Sequence, residues 1–168
     1  MTIRPRRSAL YMPGSNARAL EKARSLPADV LIFDLEDAVA PSLKESARAQ
    51  VAAAVREGGY GPREIVVRVN GLNTQWGHDD LVALAAAAPD AVLLPKIGAP
   101  GEIMRAAKEL RDAGAPERLR IWAMMETPLA ILNADSIVRT AADPTSRLSA
   151  LVMGTNDLAK DTRARLTK

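Results

Sequence analysis

The chain has no cysteine and a single histidine, which excludes a disulfide framework, a thiol nucleophile and a Cys/His zinc site. Any metal must therefore be held mostly by oxygen. Aromatic residues make up 3% of the sequence, few for stacking along nucleic-acid bases. No window approaches the roughly 20 uninterrupted apolar residues of a membrane span, and the opening MTIRPRRSALYMPG lacks the apolar run of a signal peptide. A cytoplasmic protein with no membrane partner is the expectation. The net charge of +3 sits at the ends: with Arg4, Arg6, Arg7 and residues 160–168 set aside, acids outnumber bases. No nucleic-acid partner is expected from such a balance.

What the sequence does contain is an alternation of short β-branched runs with longer Ala-rich stretches of helical period, the pattern of repeated βα units. Six strands are predicted, at Ala9–Met12, Val30–Phe33, Ile65–Val69, Ala91–Leu94, Ile121–Met125 and Leu148–Met153. Helices are predicted near Ala17–Ser25, Ser42–Glu57, Asp79–Ala88, Glu102–Ala113 and Leu129–Ala142, with Ser42 and Glu45 forming a capping box after Pro41. Polar or turn residues follow nearly every strand: Pro13-Gly14, Asp34 to Asp37, Arg68 with Asn70, Lys96, Glu126 and Asn156-Asp157. An open doubly wound sheet gathers its site at one switch point, whereas a barrel brings all strand C-termini to one mouth. The reading is therefore an α/β fold, a (β/α)8 TIM barrel with about six of its eight βα units in residues 1–168. On this reading those residues form a single catalytic domain that continues past Lys168.

Several residues can carry chemistry. In VLIFDLEDAVAP a strand runs into Asp34, Glu36 and Asp37, a crowding that calls for a cation, an arginine or a helix cap. Arg68 lies among valines in EIVVRVNG, sharing a strand face with Val66 and Asn70. Its planar fork suits a substrate carboxylate, and an ion pair with Asp34, Glu36 or Glu126 is the other reading. Lys96 after AVLLP is read as a structural partner rather than a Schiff-base lysine. Glu126 and Asp157 end the fifth and sixth strands and lie one βα unit apart, so both can face one mouth. Two carboxylates with water and ligand oxygens make a typical Mg²⁺ site, and capping of the next helices is the alternative. Arg18 and Lys22, at i and i+4 on the first helix, suit phosphate or a solvated face. His78 is read as a solvated helix-start residue and Met124-Met125 as core.

In order, RRSALYMPGSNARALEKA, FDLEDAVAP, VRVNG, LLPK, METP and GTNDLA resemble the motifs of the citrate lyase β-subunit and malyl-CoA lyase family, within the HpcH/HpaI aldolase superfamily. The resemblance implies a TIM barrel, often trimeric or hexameric. It assigns Glu126 and Asp157 as Mg²⁺ ligands, Arg68 to the substrate carboxylate and Glu36 and Asp37 to support of the metal. It makes Arg18 and Lys22 partners for the phosphates of a coenzyme A or acyl-carrier-protein thioester. The implied reaction is Mg²⁺-dependent carbon–carbon cleavage of a β-hydroxyacyl thioester of the citryl-, malyl- or citramalyl-CoA type, giving an α-keto acid and an acyl thioester. A thioesterase acting on the same substrates and a non-catalytic metal- and ligand-binding subunit are the alternatives. The segment AADPTSRLS lengthens the interval from Glu126 to Asp157 relative to the family. The family's C-terminal lid, which supplies an acid or base to a neighbouring subunit, would lie past Lys168.

Overall fold

The computed structural model describes residues 4–165, so Lys168 lies outside the described residues. Six parallel strands form one sheet: β1 (Ala9–Pro13), β2 (Val30–Asp34), β3 (Glu64–Arg68), β4 (Ala91–Leu94), β5 (Arg120–Met125) and β6 (Leu148–Met153). Their spatial order is β1-β2-β3-β4-β5-β6, so each strand pairs with the one before it and the order never reverses. A doubly wound sheet requires a reversal; this order is that of consecutive βα units in a barrel wall.

The helices are α1 (Ala17–Ala23), α2 (Lys44–Glu57), α3 (Gly77–Ala87), α4 (Pro100–Asp112), α5 (Pro128–Leu132), α6 (Ala134–Arg139) and α7 (Thr155–Thr162). The two sheet faces have separate cores because successive strand side chains point to opposite sides. One core joins Leu31, Phe33, Val67, Val92, Leu94, Ile121 and Met125 to helix residues such as Val51, Leu84, Ile103 and Leu110. The other is smaller and joins Val30, Ile32, Val66, Ala91, Leu93, Trp122 and Met124 across the strands themselves. Asp34 and Arg68 belong to this second face by alternation, and they are register partners on β2 and β3.

The basic N-terminal segment is tied down by acids at the strand starts. Arg4 pairs with Asp90 at 2.8 Å, Arg6 with Glu64 through two bonds of 2.7 and 2.8 Å, and Arg7 with Asp29 at 2.8 Å. Arg6 also stacks over Trp122, 4.7 Å from the ring centroid.

Two expected helix features and one expected strand-face placement differ. The predicted helix Leu129–Ala142 is broken at Asn133, which ends α5 and begins α6; its side chain donates to the Gly98 carbonyl at 2.8 Å and so ties the break to the preceding loop. The Ser42/Glu45 capping box does not form. Pro41–Leu43 instead wind a 3-10 turn directly into α2, so Ser42 is inside the turn and Leu43 takes the cap position. Asn70, one residue beyond Val69, does not share the inner face with Arg68: its backbone and side-chain amides donate to Asp80 on α3, at 2.9 and 2.7 Å.

The Pro13-Gly14 turn shows why a glycine stands there. Its amide donates to the Asp34 carbonyl at 2.8 Å, and a Cβ would sit 2.6 Å from that oxygen and 2.8 Å from the Val51 side chain. Gly14→Ala therefore forces β1 away from β2, with an expected loss of about 1–3 kcal/mol. The midpoint of urea unfolding reads it; an unchanged midpoint would mean the turn relaxes freely.

Candidate functional site

The strand C-termini open onto a cleft of about 370 Å³ lined by Tyr11, Asp37, Arg68, Met124, Glu126 and a run from Val152 to Asp157. Arg68, Asp37, Glu126 and Asp157 thus meet, although Arg68 ends β3, Asp37 and Glu126 follow β2 and β5, and Asp157 lies in the first turn of α7 after β6.

Arg68 anchors one side. Its Nε donates to Asp34 Oδ1 at 2.7 Å and its Nη2 to Asp34 Oδ2, so the fork is engaged bidentately by a carboxylate of its own chain. Asp34 is further held by the amides of Glu36 and Ala38, at 2.8 and 3.2 Å. The remaining Nη1 lies 3.0 Å from Glu36 and 3.4 Å from Asp37. Tyr11 covers the guanidinium, its ring centroid 5.3 Å away, and burial raises the Tyr11 pKa. Arg68 is thus a buried ion-pair partner and also a wall of the cleft, with its Nη1 edge nearest the acids at the mouth.

Glu126 is 1% exposed. Its Oε1 accepts from the backbone N–H of Lys96 at 2.7 Å, while Thr127 caps α5 through Ala130 N. Burial raises the Glu126 pKa; the Lys96 amide opposes this, and the charges of Glu36 and Asp157 add to the rise. Gly154 packs against it so closely that a Cβ would lie 2.6 Å from Glu126 Oε2. Asp157, half-buried in the first turn of α7, stands on the other side.

Lys96 joins the two halves. It adopts a left-handed φ of 53°, which turns its amide toward Glu126 while its Nζ bonds Glu36 Oε1 at 2.8 Å. The expected structural pairing of Lys96 is what is observed. Glu36 is 7% exposed, and burial raises its pKa against the opposing hydrogen bond from Lys96. Its Oε2 has no hydrogen-bond partner, because the Arg68 contact is ionic without hydrogen-bond alignment. Lys44, also buried, donates to the carbonyls of Leu35 and Glu36 at 2.7 and 2.6 Å and holds the acid-bearing loop from below.

Arg18 and Lys22 are exposed on α1 and do not line this cleft; they make no ion pair among the described residues. His78 pairs with Glu109 at 3.1 Å, apart from the lining residues. Tyr11, Gly154 and the Lys96 amide are site elements that sequence patterns did not single out.

Among the described residues no three His, Cys, Asp or Glu side chains form a metal cluster, so a cation at Glu126 and Asp157 would complete its shell with water and ligand oxygens. A hard, partly hydrated cation fits such a donor set. Glu36 Oε2, which contacts Arg68 but accepts no hydrogen bond, and the mutual repulsion of the carboxylates fit it as well, since bound water can be held by an outer carboxylate.

Residues 7–168 match the family model described as HpcH/HpaI aldolase/citrate lyase, and the chain belongs to that family. It is 47% identical over 161 residues to a (3S)-malyl-CoA thioesterase of Cereibacter sphaeroides, covering 96% of this chain and 53% of the relative. It is 36% identical over 165 residues to the citrate lyase subunit beta of Escherichia coli, covering 95% and 53%. In structure it is similar to the protein CitE of Mycobacterium tuberculosis in complex with magnesium, acetoacetate and coenzyme A, with a TM-score of 0.73, 29% identity and coverage of 98% and 55%. The chain spans about half the length of the curated relatives it matches. Among the described residues no helix is long and apolar enough to cross a membrane.

Proposed function

We propose that this chain carries the metal- and carboxylate-binding part of a Mg²⁺-dependent enzyme acting on a β-hydroxyacyl thioester of the malyl-CoA type. The observation that carries this reading is the meeting of buried Glu126 with Asp157 in the cleft bounded by Arg68. Glu126 and Asp157 would hold Mg²⁺, with Glu36 and Asp37 supporting its water. When bound, the ion supplies a Lewis acid that polarises ligand oxygens and stabilises negative charge as it develops. Glu126 is kept in place by the Lys96 amide and by contact with Gly154. Arg68 offers its Nη1 edge to a substrate carboxylate, while Met124 and Val152 give the cleft an apolar wall that limits water. Tyr11, whose pKa is raised chiefly by partial loss of water, keeps its proton and can donate a hydrogen bond. The exposed Arg18 and Lys22 would meet the phosphates of coenzyme A or an acyl carrier. Assembly as a trimer or hexamer, in the cytoplasm, belongs to the same reading.

Carbon–carbon cleavage is the first reaction this site supports, because a retro-Claisen step needs charge stabilisation at the oxygens gathered here. Hydrolysis of the same thioester is the second, favoured by the similarity to malyl-CoA thioesterases. Incubation with malyl-CoA and Mg²⁺ separates them: glyoxylate with acetyl-CoA marks the lyase, free malate with coenzyme A marks the thioesterase. Saturable binding without either product would leave a non-catalytic subunit, and absence of binding would overturn the proposal.

A further inference from the structure

A second polar cleft, also of about 370 Å³, lies at the opposite end of the sheet and is lined by Arg111, Glu117, Arg120, Pro144, Thr145 and Arg147. Arg111 is in the last turn of α4, Arg120 begins β5, and Arg147 immediately precedes β6. The segment AADPTSRLS, which the reaction site does not use, contributes Pro144, Thr145 and Arg147.

Three arginines here face one lining acid. Arg147 is 7% exposed and has no carboxylate partner among the described residues; its Nη1 donates to the carbonyls of Pro116 and Leu119, and its Nη2 to that of Ala115. Burial lowers the Arg147 pKa, and the charge of Arg111 pushes the same way. Arg111 donates one bond, from Nη1 to the Thr145 carbonyl at 2.9 Å. The half-buried Arg120 side chain has no hydrogen-bond or ionic partner among the described residues. Glu117 is exposed; Asp143, in the adjoining cleft, accepts from the Thr145 amide at 2.8 Å, and its charge reaches Arg111 without an ion pair between them among the described residues.

A buried positive charge without a counter-charge is costly, and guanidinium forks with free N–H groups match phosphate oxygens. We propose that this cleft is a binding site for the phosphate group of a small molecule, gripped by Arg111 and Arg120 above the fixed charge of Arg147. The site is independent of the Mg²⁺ reading, because it shares no lining residue with the cleft at the strand C-termini.

Calorimetric titration with pyrophosphate, at low salt and without divalent cations, tests it. Saturable binding is expected, weakened at least tenfold in the Arg111→Gln/Arg120→Gln double variant. Glu117→Gln, which removes the one lining acid, should tighten binding, a gain that misfolding cannot produce. Coenzyme A titrated in parallel assigns the source: loss in the same double variant ties the cleft to the carrier's phosphates, and retention leaves a separate phosphorylated metabolite. No saturable pyrophosphate binding, or a double variant within threefold of the parent, overturns the proposal.

Discussion

Glu126→Gln should abolish detectable Mg²⁺ binding while leaving the apo protein at least as stable as the parent. Both effects follow from one arrangement. The glutamate is buried, and its ionised form is disfavoured first by loss of water and then by the charges of Glu36 and Asp157. A carboxyl group whose folded-state pKa is raised costs the apo protein stability when ionised. That cost is present above the raised value and disappears as the pH falls through it toward the ordinary carboxylate range. An uncharged amide removes the cost at every pH and can still accept the Lys96 N–H bond. It also removes one of the two carboxylates available to a cation, and Asp157 alone is a poor holder of an ion that prefers six oxygens. Calorimetry should show Mg²⁺ affinity reduced about 100-fold or more, and urea unfolding an unchanged or higher midpoint with a flatter pH dependence. Parent-like Mg²⁺ affinity in the folded variant would remove Glu126 from the site.

Arg68→Met is expected to cost about 3–5 kcal/mol, because it strands the Asp34 carboxylate, itself 1% exposed, without its bidentate partner. Arg68→Lys keeps the charge but cannot form two parallel bonds from one nitrogen, so its stability should fall between those of Met and the parent. The lysine variant is the informative one for function. If Nη1 receives the substrate carboxylate, malate or oxaloacetate binding in the presence of Mg²⁺ should drop at least tenfold while Mg²⁺ affinity changes little. Unaltered dicarboxylate affinity in a folded Arg68→Lys would make Arg68 a purely structural residue.

The strand positions, the parallel α/β class and the siting of polar residues after each strand were legible in the sequence, because buried β-branched runs and the residues that end them are local signals. The six predicted strands match the observed ones to within about a residue. Local signals failed where a distant partner, or a competing local turn, decides the outcome. Asn133 breaks a periodic helical stretch by bonding Gly98, and Ser42 lies in a turn fixed by Pro41. The pairing of Arg68 with Asp34 and Glu36 was one of two readings open from sequence, and register between β2 and β3 is what brings them together. The backbone amide of Lys96 on Glu126 has no side-chain signature at all, since any residue but proline carries that donor. The same holds for Gly154, whose closeness to Glu126 arises only when β5 and β6 are paired.

The uninterrupted sheet order bears on how the chain can be made. Each strand from β2 to β6 finds a partner in the strand synthesised just before it, so none of these five pairings waits for a segment that has yet to leave the ribosome. Loop closure then involves one helix and its linkers at a time, which keeps the entropy lost in each pairing event small. A nascent chain of this topology can add its strands in the order of translation, with Asp34 and Arg68 already joined before the codon for Glu126 is read.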